Sequence, residues 1–350
     1  MSTIRASMLS LLAAISVLVS AAHGQATPKV GVVLPLSGPL SEMGLSFKRG
    51  VELYSNDNRD AGVSFVFEDH KYDGRATVTA MHALKAQTGV DLVVVWGNAP
   101  SSAAAPLAEQ QRIPTLAVSM NPDAKDRNFV VTFGPPAAKV ADTIAAYFKQ
   151  TGASNYGAIG IDMGNVLEVF DMVEHRVHGF SSRKVVSATE VDFKPVISNF
   201  KSRSIDSLVL FLLPEQALTF LKQARQMDYS PSIIGGDIFA TETFQSQAAQ
   251  LTSKVAFVYG AVKPEFIRRL SDSEAGRSYF FEVATGYSVA AMSAELVKRK
   301  RVGDAPFVEL DALSLESLPI PAIKYRSDDS LGRHFEVDAA VYTVPMASNE

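Results

Sequence analysis

Lys29-Val-Gly-Val-Val-Leu-Pro-Leu-Ser-Gly-Pro39 decides the fold. From Val30 to Leu34 the run is apolar and β-rich, without polar alternation. That is the pattern of a strand covered on both faces, as in a parallel sheet. Pro35, Gly38 and Pro39 then end it in a Ser-Gly-Pro turn. Ser41–Asn56 follows, with Met43, Phe47, Val51 and Tyr54 at helical spacing. A buried strand, a tight turn and an amphipathic helix make the first half of a βαβ unit.

Working outward, the same alternation repeats. Strand-like Val63–Glu68, Asp91–Trp96 and Thr115–Val118 alternate with helix-like Ala76–Gln87 and Ser101–Gln111. Extended Phe129–Phe133 runs into Gly134-Pro135-Pro136, which no helix can contain. A second set follows it. Helical patterns at Lys139–Gln150, Val166–His178, Val196–Ser204 and Glu215–Met227 alternate with strands at Tyr156–Ile161, Val185–Ala188, Ser207–Leu213 and Ser232–Gly235. Two such runs predict two α/β lobes of one architecture. The tail departs from the rhythm: a long helix over Gly276–Lys300, then strands at Ala322–Tyr325 and Phe335–Val344 around the polar turn Ser327–Gly332. A late helix and hairpin of this kind return to complete lobes begun earlier.

Upstream, Met1–Ala26 reads as an export signal. Arg5 is the sole charge before Lys29, and Met8–Ala22 is uncharged, mostly apolar and broken by serines. Small residues at Ala22, Gly24 and Ala26 suit cleavage before Gln25 or Thr27. The run is shorter than the roughly 20 apolar residues of a membrane span. The mature chain is therefore expected outside the cytoplasm, in the periplasm. It holds no cysteine, which excludes disulfides and a lipidated N-terminal Cys. Its core must hold by packing alone. Some 320 residues remain after cleavage, enough for two domains of about 160. A hydrophobic fraction of 47%, a charged fraction of 20% and a net charge of −4 describe a globular chain without a strong field. The one basic block, Lys298-Arg-Lys-Arg301, sits at a helix end where cations favour the dipole, so no nucleic-acid partner is expected.

Several segments occur in an order that resembles a known family. They are Val30–Pro39 with Gly44, Gly50-Val-Glu-Leu53, Glu68-Asp-His-Lys-Tyr-Asp73, Val90–Gly97 with Ser101 and Ser102, Ile113-Pro114, Asn121-Pro122, Gly235-Gly236-Asp237 and Gly286-Tyr287-Ser288. In this order they are similar to the periplasmic substrate-binding proteins of ABC transporters, of the Leu/Ile/Val-binding type, over about Val30 to Val344. The resemblance implies two lobes with parallel sheets, joined by three chain crossings, with ligand in the cleft between them. The crossings are expected near Val131, Val262 and Gly332. Lobe one would then be 28–131 plus 263–332, and lobe two 132–262 plus 333–350. The implied function is capture of a small polar ligand, an amino acid or a related acid or amide, by hinge closure, and delivery to a permease in the inner membrane. A ligand-sensing receptor module with the same fold is the alternative. The resemblance implies no cofactor and a monomer.

It also marks the site residues. Ser101, read at a strand-to-helix junction, either caps that helix or meets the ligand carboxylate beside open backbone N–H groups. Ser102 neighbours it. Ser119 and Met120 follow a strand at the C-terminal edge of the sheet, where open α/β sheets bind ligands. There Met120 stands where the family has Thr. Asp237 stands where the family sets an acid against the ligand ammonium, or it caps a helix near Thr241. Met43 matches an aromatic contact, and Asn165 lies where a Tyr-Gly pair is missing. Near Phe211 and Leu212 another family aromatic is missing or displaced. Trp96, the single tryptophan, faces the ligand or the core.

Other motifs carry less. His175 and His178 share a charged helix face with Glu174 but lack the further ligands a metal site needs. Asp69, His70 and Asp73 match a structural carboxylate loop of the family. The glycines of Gly157–Gly164 do not fit a dinucleotide fingerprint. No G-x-S-x-G, H-E-x-x-H or P-loop occurs, so nothing in the sequence asks for an enzyme.

Overall fold

The structure, a computed structural model, describes residues 27–121, 123–271, 279–299, 306–307 and 309–344. Two sheets carry it. The first has seven strands: β1 (Lys29–Leu34), β2 (Ser64–Asp69), β3 (Leu92–Trp96), β4 (Thr115–Val118), β5 (Val130–Gly134), β11 (Lys324–Asp328) and β12 (Gly332–Glu336). Their order is β11-β12-β5-β4-β3-β1-β2. The second has six: β6 (Tyr156–Ile161), β7 (Ser182–Val186), β8 (Ser207–Phe211), β9 (Ser232–Gly235), β10 (Val255–Gly260) and β13 (Ala339–Thr343), in the order β13-β10-β9-β8-β6-β7. Pairing is parallel except at one edge of each sheet, where β11 meets β12 and β10 meets β13 antiparallel. The buried runs of β1, β3 and β8 are those of strands with helices on both faces.

The helices connect the strands as crossovers. Beside the first sheet lie α1 (Ser41–Asp57), α2 (Gly74–Ala83) and α3 (Asn98–Gln111). Beside the second lie α4 (Ala137–Thr151), α5 (Gly164–Arg176), α6 (Lys194–Ser202), α7 (Pro214–Gln226) and α8 (Glu242–Ala249). Last come α9 (Pro264–Ser271) and α10 (Phe280–Leu296). Late in sequence, α10 returns to pack along α1, and two glycines make this contact. A Cβ on Gly50 would stand 2.1 Å from the Val283 carbonyl oxygen, and one on Gly286 would stand 2.1 Å from that of Phe47. Both backbones approach more closely than any other residue allows, which gives the Gly50 and Gly286 motifs a physical cause.

The three passages between sheets run side by side. Val337 N–H donates to the Gly134 carbonyl at 3.4 Å, and Ala261 N–H donates to that of Asp338 at 2.8 Å. Lys139, in the first turn of α4, reaches Glu336 and Asp338 at 3.3 Å each. The Tyr342 hydroxyl accepts from Val262 N–H and donates to the Gly260 carbonyl, both at 3.2 Å.

Several details differ from the sequence expectation. Strands β5 and β12 stay in the first sheet to Gly134 and Glu336, so the chain leaves it later than Val131 and Gly332. Pro135 and Pro136 set the first of these exits. The tail segment read as one strand from Phe335 splits into β12 and β13, one in each sheet. Between them Asp338 turns the chain, its carbonyl bonding Ala261 rather than a ladder partner. Strand β10 and helix α9 were not among the elements read from the sequence, although Val255–Gly260 is an apolar, β-rich run. Residues 1–26 and 345–350, and the first part of the long helix expected from Gly276, lie outside the described residues. Among the described residues no helix is long and apolar enough to cross a membrane.

Candidate functional site

A cavity of about 260 Å³ lies where the C-terminal ends of both sheets meet. Trp96, Val118 and Phe133 close it from β3, β4 and β5, and Ile161, Phe211, Gly236 and Val258 from β6, β8, β9 and β10. Met43 of α1 and Phe281, Glu282 and Thr285 of α10 complete the wall. Strand ends of this kind are where open α/β sheets bind ligands. This volume lies just below the roughly 300 Å³ at which ligand pockets begin, so it suits only a small molecule. Most of the lining is apolar and aromatic. None of the described lining residues is Lys, Arg or His.

Tyr72 dominates one wall. The loop after β2 holds Lys71 and Tyr72 at φ +51° and +61°, a left-handed conformation that side chains with a Cβ resist. His70 fixes the loop. Its Nδ1 accepts from Tyr72 N–H at 2.9 Å, and its Nε2 lies 2.9 Å from the Trp96 carbonyl. This pairing needs the proton on Nε2, and burial lowers the His70 pKa and keeps the ring neutral. Asp69 takes Leu36 N–H, Lys71 N–H and the Ser37 hydroxyl, tying the loop to the turn after β1. The Tyr72 ring lies against Gly97, whose φ of +102° opens α3. A Cβ there would stand 2.5 Å from Tyr72 Cε2. The first backbone N–H groups of α3, which begins at Asn98, are among the donors that a helix N-terminus leaves without an intrahelical partner. Burial, and then the Asp237 carboxylate, push the Tyr72 phenol above its usual range.

Asn98 uses the other polar groups on this wall. Its Oδ1 accepts from the Ser119 hydroxyl at 3.2 Å and from Met120 N–H at 2.9 Å. The Ser119 oxygen in turn accepts from Asn121 N–H at 3.0 Å.

The opposite wall is different. Asp237 follows β9 and Gly235-Gly236. Asp237 is an exposed residue that lines the open cavity, and Ile238 N–H donates to its carboxylate at 2.9 Å. The surrounding protein weakens its hydration and raises its pKa. Glu282 sits in the first turn of α10 and is 4% exposed, and its Oε2 has no hydrogen-bond partner among the described residues. Burial lifts its carboxyl well above the usual range, and the charge of Asp237 adds to the effect. The hydroxyls of Thr285 and Tyr259 are also buried, on the same cavity, and have no hydrogen-bond partner among the described residues.

The structure brings Met43, Ser119, Met120, Asn165, Asp237 and Trp96 to the cavity, and Phe211 with them. Ser101 and Ser102 are not among its walls. Helix α3 starts at Asn98, so Ser101 is no cap; it is fully buried and donates back to the Val95 carbonyl at 3.2 Å. Pro100 lies in the first turn of this helix, where an amide has no partner to lose and proline is tolerated. The Ser102 hydroxyl donates to Asp123 Oδ1 at 2.7 Å and holds the loop after β4. Nor does Asp237 cap α8, because Thr241 takes Phe244 N–H there at 3.2 Å. Tyr72, Asn98, Tyr259, Glu282 and Thr285 escaped the sequence reading. Glu282 had a signal, as a lone acid in Phe280-Phe-Glu-Val-Ala284, inside a helix apolar all round.

A family profile described as periplasmic binding protein matches residues 27–299. Among solved structures, the branched-chain amino acid transporter substrate-binding protein LivJ from Streptococcus pneumoniae, in complex with isoleucine, superposes with a TM-score of 0.72 at 19% identity, covering 91% of this chain and 96% of its own. The leucine binding protein LivK from Thermotoga maritima gives 0.73 at 17%, covering 91% and 95%. A solute binding protein of an ABC transporter from Rhodopseudomonas palustris, in complex with 3,4-dihydroxybenzoic acid, gives 0.69 at 18%, covering 93% and 99%. At these identities the likeness establishes the fold. No curated protein matches.

Proposed function

The chain belongs to the periplasmic binding protein family, and we propose that it captures a small molecule between two lobes and hands it to an ABC importer. The family is one of solute-binding proteins, not enzymes. The ligand is of the size and mixed polarity of an amino acid or a related acid or amide. The lobes are the two sheets with their helices, and the hinge is the three adjoining passages after Gly134, Gly260 and Glu336. Export by the N-terminal signal delivers the protein to the periplasm, where it acts as a monomer.

One observation carries this reading: the cavity takes its walls from the strand ends of both sheets at once. A ligand there touches both lobes only when they are closed, so it stabilises that form by its differential contacts. The permease then reads closure as occupancy.

A thermal-shift screen of residues 27–350 tests it, against amino acids, small amides, aromatic acids, short peptides and sugars. A ligand at 100 times its Kd adds about 2.7 kcal/mol to stability. A saturable shift with one compound class, recovered chemically unchanged, is the expected result. Silence across the panel would sink the reading.

A further inference from the structure

We propose that Glu282 and Thr285 of α10 and Tyr259 of β10 form a second polar subsite in the cavity, which takes an uncharged hydrogen-bonding group, a hydroxyl or a carboxamide, on the body of the ligand. This rests on the reading of the protein as a small-molecule binding protein and narrows its ligand.

All three residues line the cavity, and all are buried: Glu282 is 4% exposed, Thr285 2% and Tyr259 5%. Glu282 Oε2 and both hydroxyls have no hydrogen-bond partner among the described residues. Such groups are rare in folded proteins, because each costs free energy until it is paired. Here three share one stretch of wall. Glu282 and Thr285 stand three residues apart and so lie on the same face of α10. Tyr259 packs against the first turn of that helix, its ring 5.1 Å from those of Phe280 and Phe281. Gly260 permits the approach, since a Cβ there would stand 2.0 Å from Phe281 Cε2. The subsite therefore draws on the end of the second sheet and on the helix that packs along α1.

Its chemistry selects the guest. An apolar group at this place would leave all three polar atoms unpaired. A carboxylate would meet the Glu282 carboxyl, and none of the described lining residues is Lys, Arg or His to receive it. A cation would need the ionised form of Glu282, which burial and the charge of Asp237 disfavour. A protonated carboxyl and two hydroxyls each donate and accept. A hydroxyl or carboxamide does the same, and so pairs with them without bringing a charge into an apolar wall. A site built on such groups rejects an analogue that lacks the partner far more strongly than an apolar pocket rejects an added methyl.

Isothermal titration of residues 27–350 with isosteric sets tests this: valine and threonine, leucine and asparagine, 4-methylbenzoate and 4-hydroxybenzoate, and norvaline, homoserine and 2,4-diaminobutyrate. Within a set the members differ in carrying an apolar, an uncharged polar or a cationic group at one position. We expect the hydroxyl or carboxamide member of at least one set to bind at least tenfold more tightly than its counterparts. Glu282→Met should cut that preference at least tenfold, whereas Glu282→Gln, whose amide also donates and accepts, should keep it. The double variant Thr285→Val with Tyr259→Phe should cut the preference at least threefold. It should also melt no lower than the native protein, since each change removes only an unpaired hydroxyl. Tighter binding of the apolar or cationic member in every set that binds would overturn the subsite and leave the binding-protein reading intact. A preference that survives both Glu282→Met and the double variant would do the same. Silence in all four sets from a cooperatively melting protein would overturn the proposal, and the reading beneath it would then rest on the wider thermal-shift panel.

Discussion

The two walls of the cavity treat their polar groups in opposite ways. On the α3 side, Asn98 Oδ1 accepts from the Ser119 hydroxyl and from Met120 N–H, so these donors have an acceptor within the protein. On the α10 side, Glu282 Oε2 and the hydroxyls of Thr285 and Tyr259 are buried without hydrogen-bond partners among the described residues. A buried polar group without a partner costs roughly 1–3 kcal/mol, and a charged one more. A fold tolerates such groups where something outside the chain is to complete them. Ser119 and Met120 on the first wall are thus paired within the protein, whereas the named groups of the second would be completed by the ligand of the proposed function.

Substitutions at each wall should break or sharpen this contrast. Gly97→Ala should have the largest effect. It forces a Cβ into the Tyr72 ring at a φ of +102°, and a loss of about 3 kcal/mol in chemical denaturation is expected. A neutral result would mean that the ring is not seated there. Next, Asp237→Ala should cost about 1.5–3 kcal/mol of affinity for an amine-bearing ligand, with the melting transition unchanged. Equal affinity by calorimetry would remove Asp237 from the site.

Glu282→Gln should act in the other direction on stability, raising it by about 1 kcal/mol at neutral pH. The sign follows from the raised pKa of the buried carboxyl. Below its folded pKa the folded protein holds a proton that the unfolded chain releases above about pH 4. The native protein therefore gains stability as pH falls through that window and loses it as pH rises. Carboxylates held low, such as Asp328 at about 2, matter only in stronger acid. Melting curves between pH 4 and 8 should show a slope in the native protein that Glu282→Gln reduces, with Asp237 supplying part of the remainder. Parallel curves would deny the burial. The smallest effect belongs to the hinge: Lys139→Ala removes half-exposed ion pairs to Glu336 and Asp338, and less than about 1 kcal/mol should be lost. A larger loss would make this cluster a structural lock.

Much of this was legible in the residues. The buried run Val30–Leu34 and its successors define two parallel sheets because a strand covered on both faces has nowhere polar to put its side chains. Gly50 and Gly286 lay in the recognised segments, and the structure supplies their reason in the α1–α10 contact. Asp237 was read at a strand end after two glycines and faces the cavity. Ser101 was read at the strand-to-helix junction, but the helix begins three residues earlier at Asn98, which turns the Ser101 hydroxyl back to Val95. Tyr72 was illegible because its role depends on a left-handed turn, a histidine tautomer and a glycine 25 positions later. Glu282 was visible as an anomaly, but its partner across the cavity is set by the return of α10, which no local pattern encodes.

Trp96 ends β3 at the cavity wall, its ring 6.0 Å from that of Tyr72, and it is the only tryptophan in the chain. The protein thus carries a single indole emitter, positioned where occupancy changes its surroundings and undiluted by any other. Its emission maximum and quenching by iodide are an optical readout of the cavity, available without label or mutation, and fast enough in a stopped-flow mixer to separate ligand arrival from lobe closure.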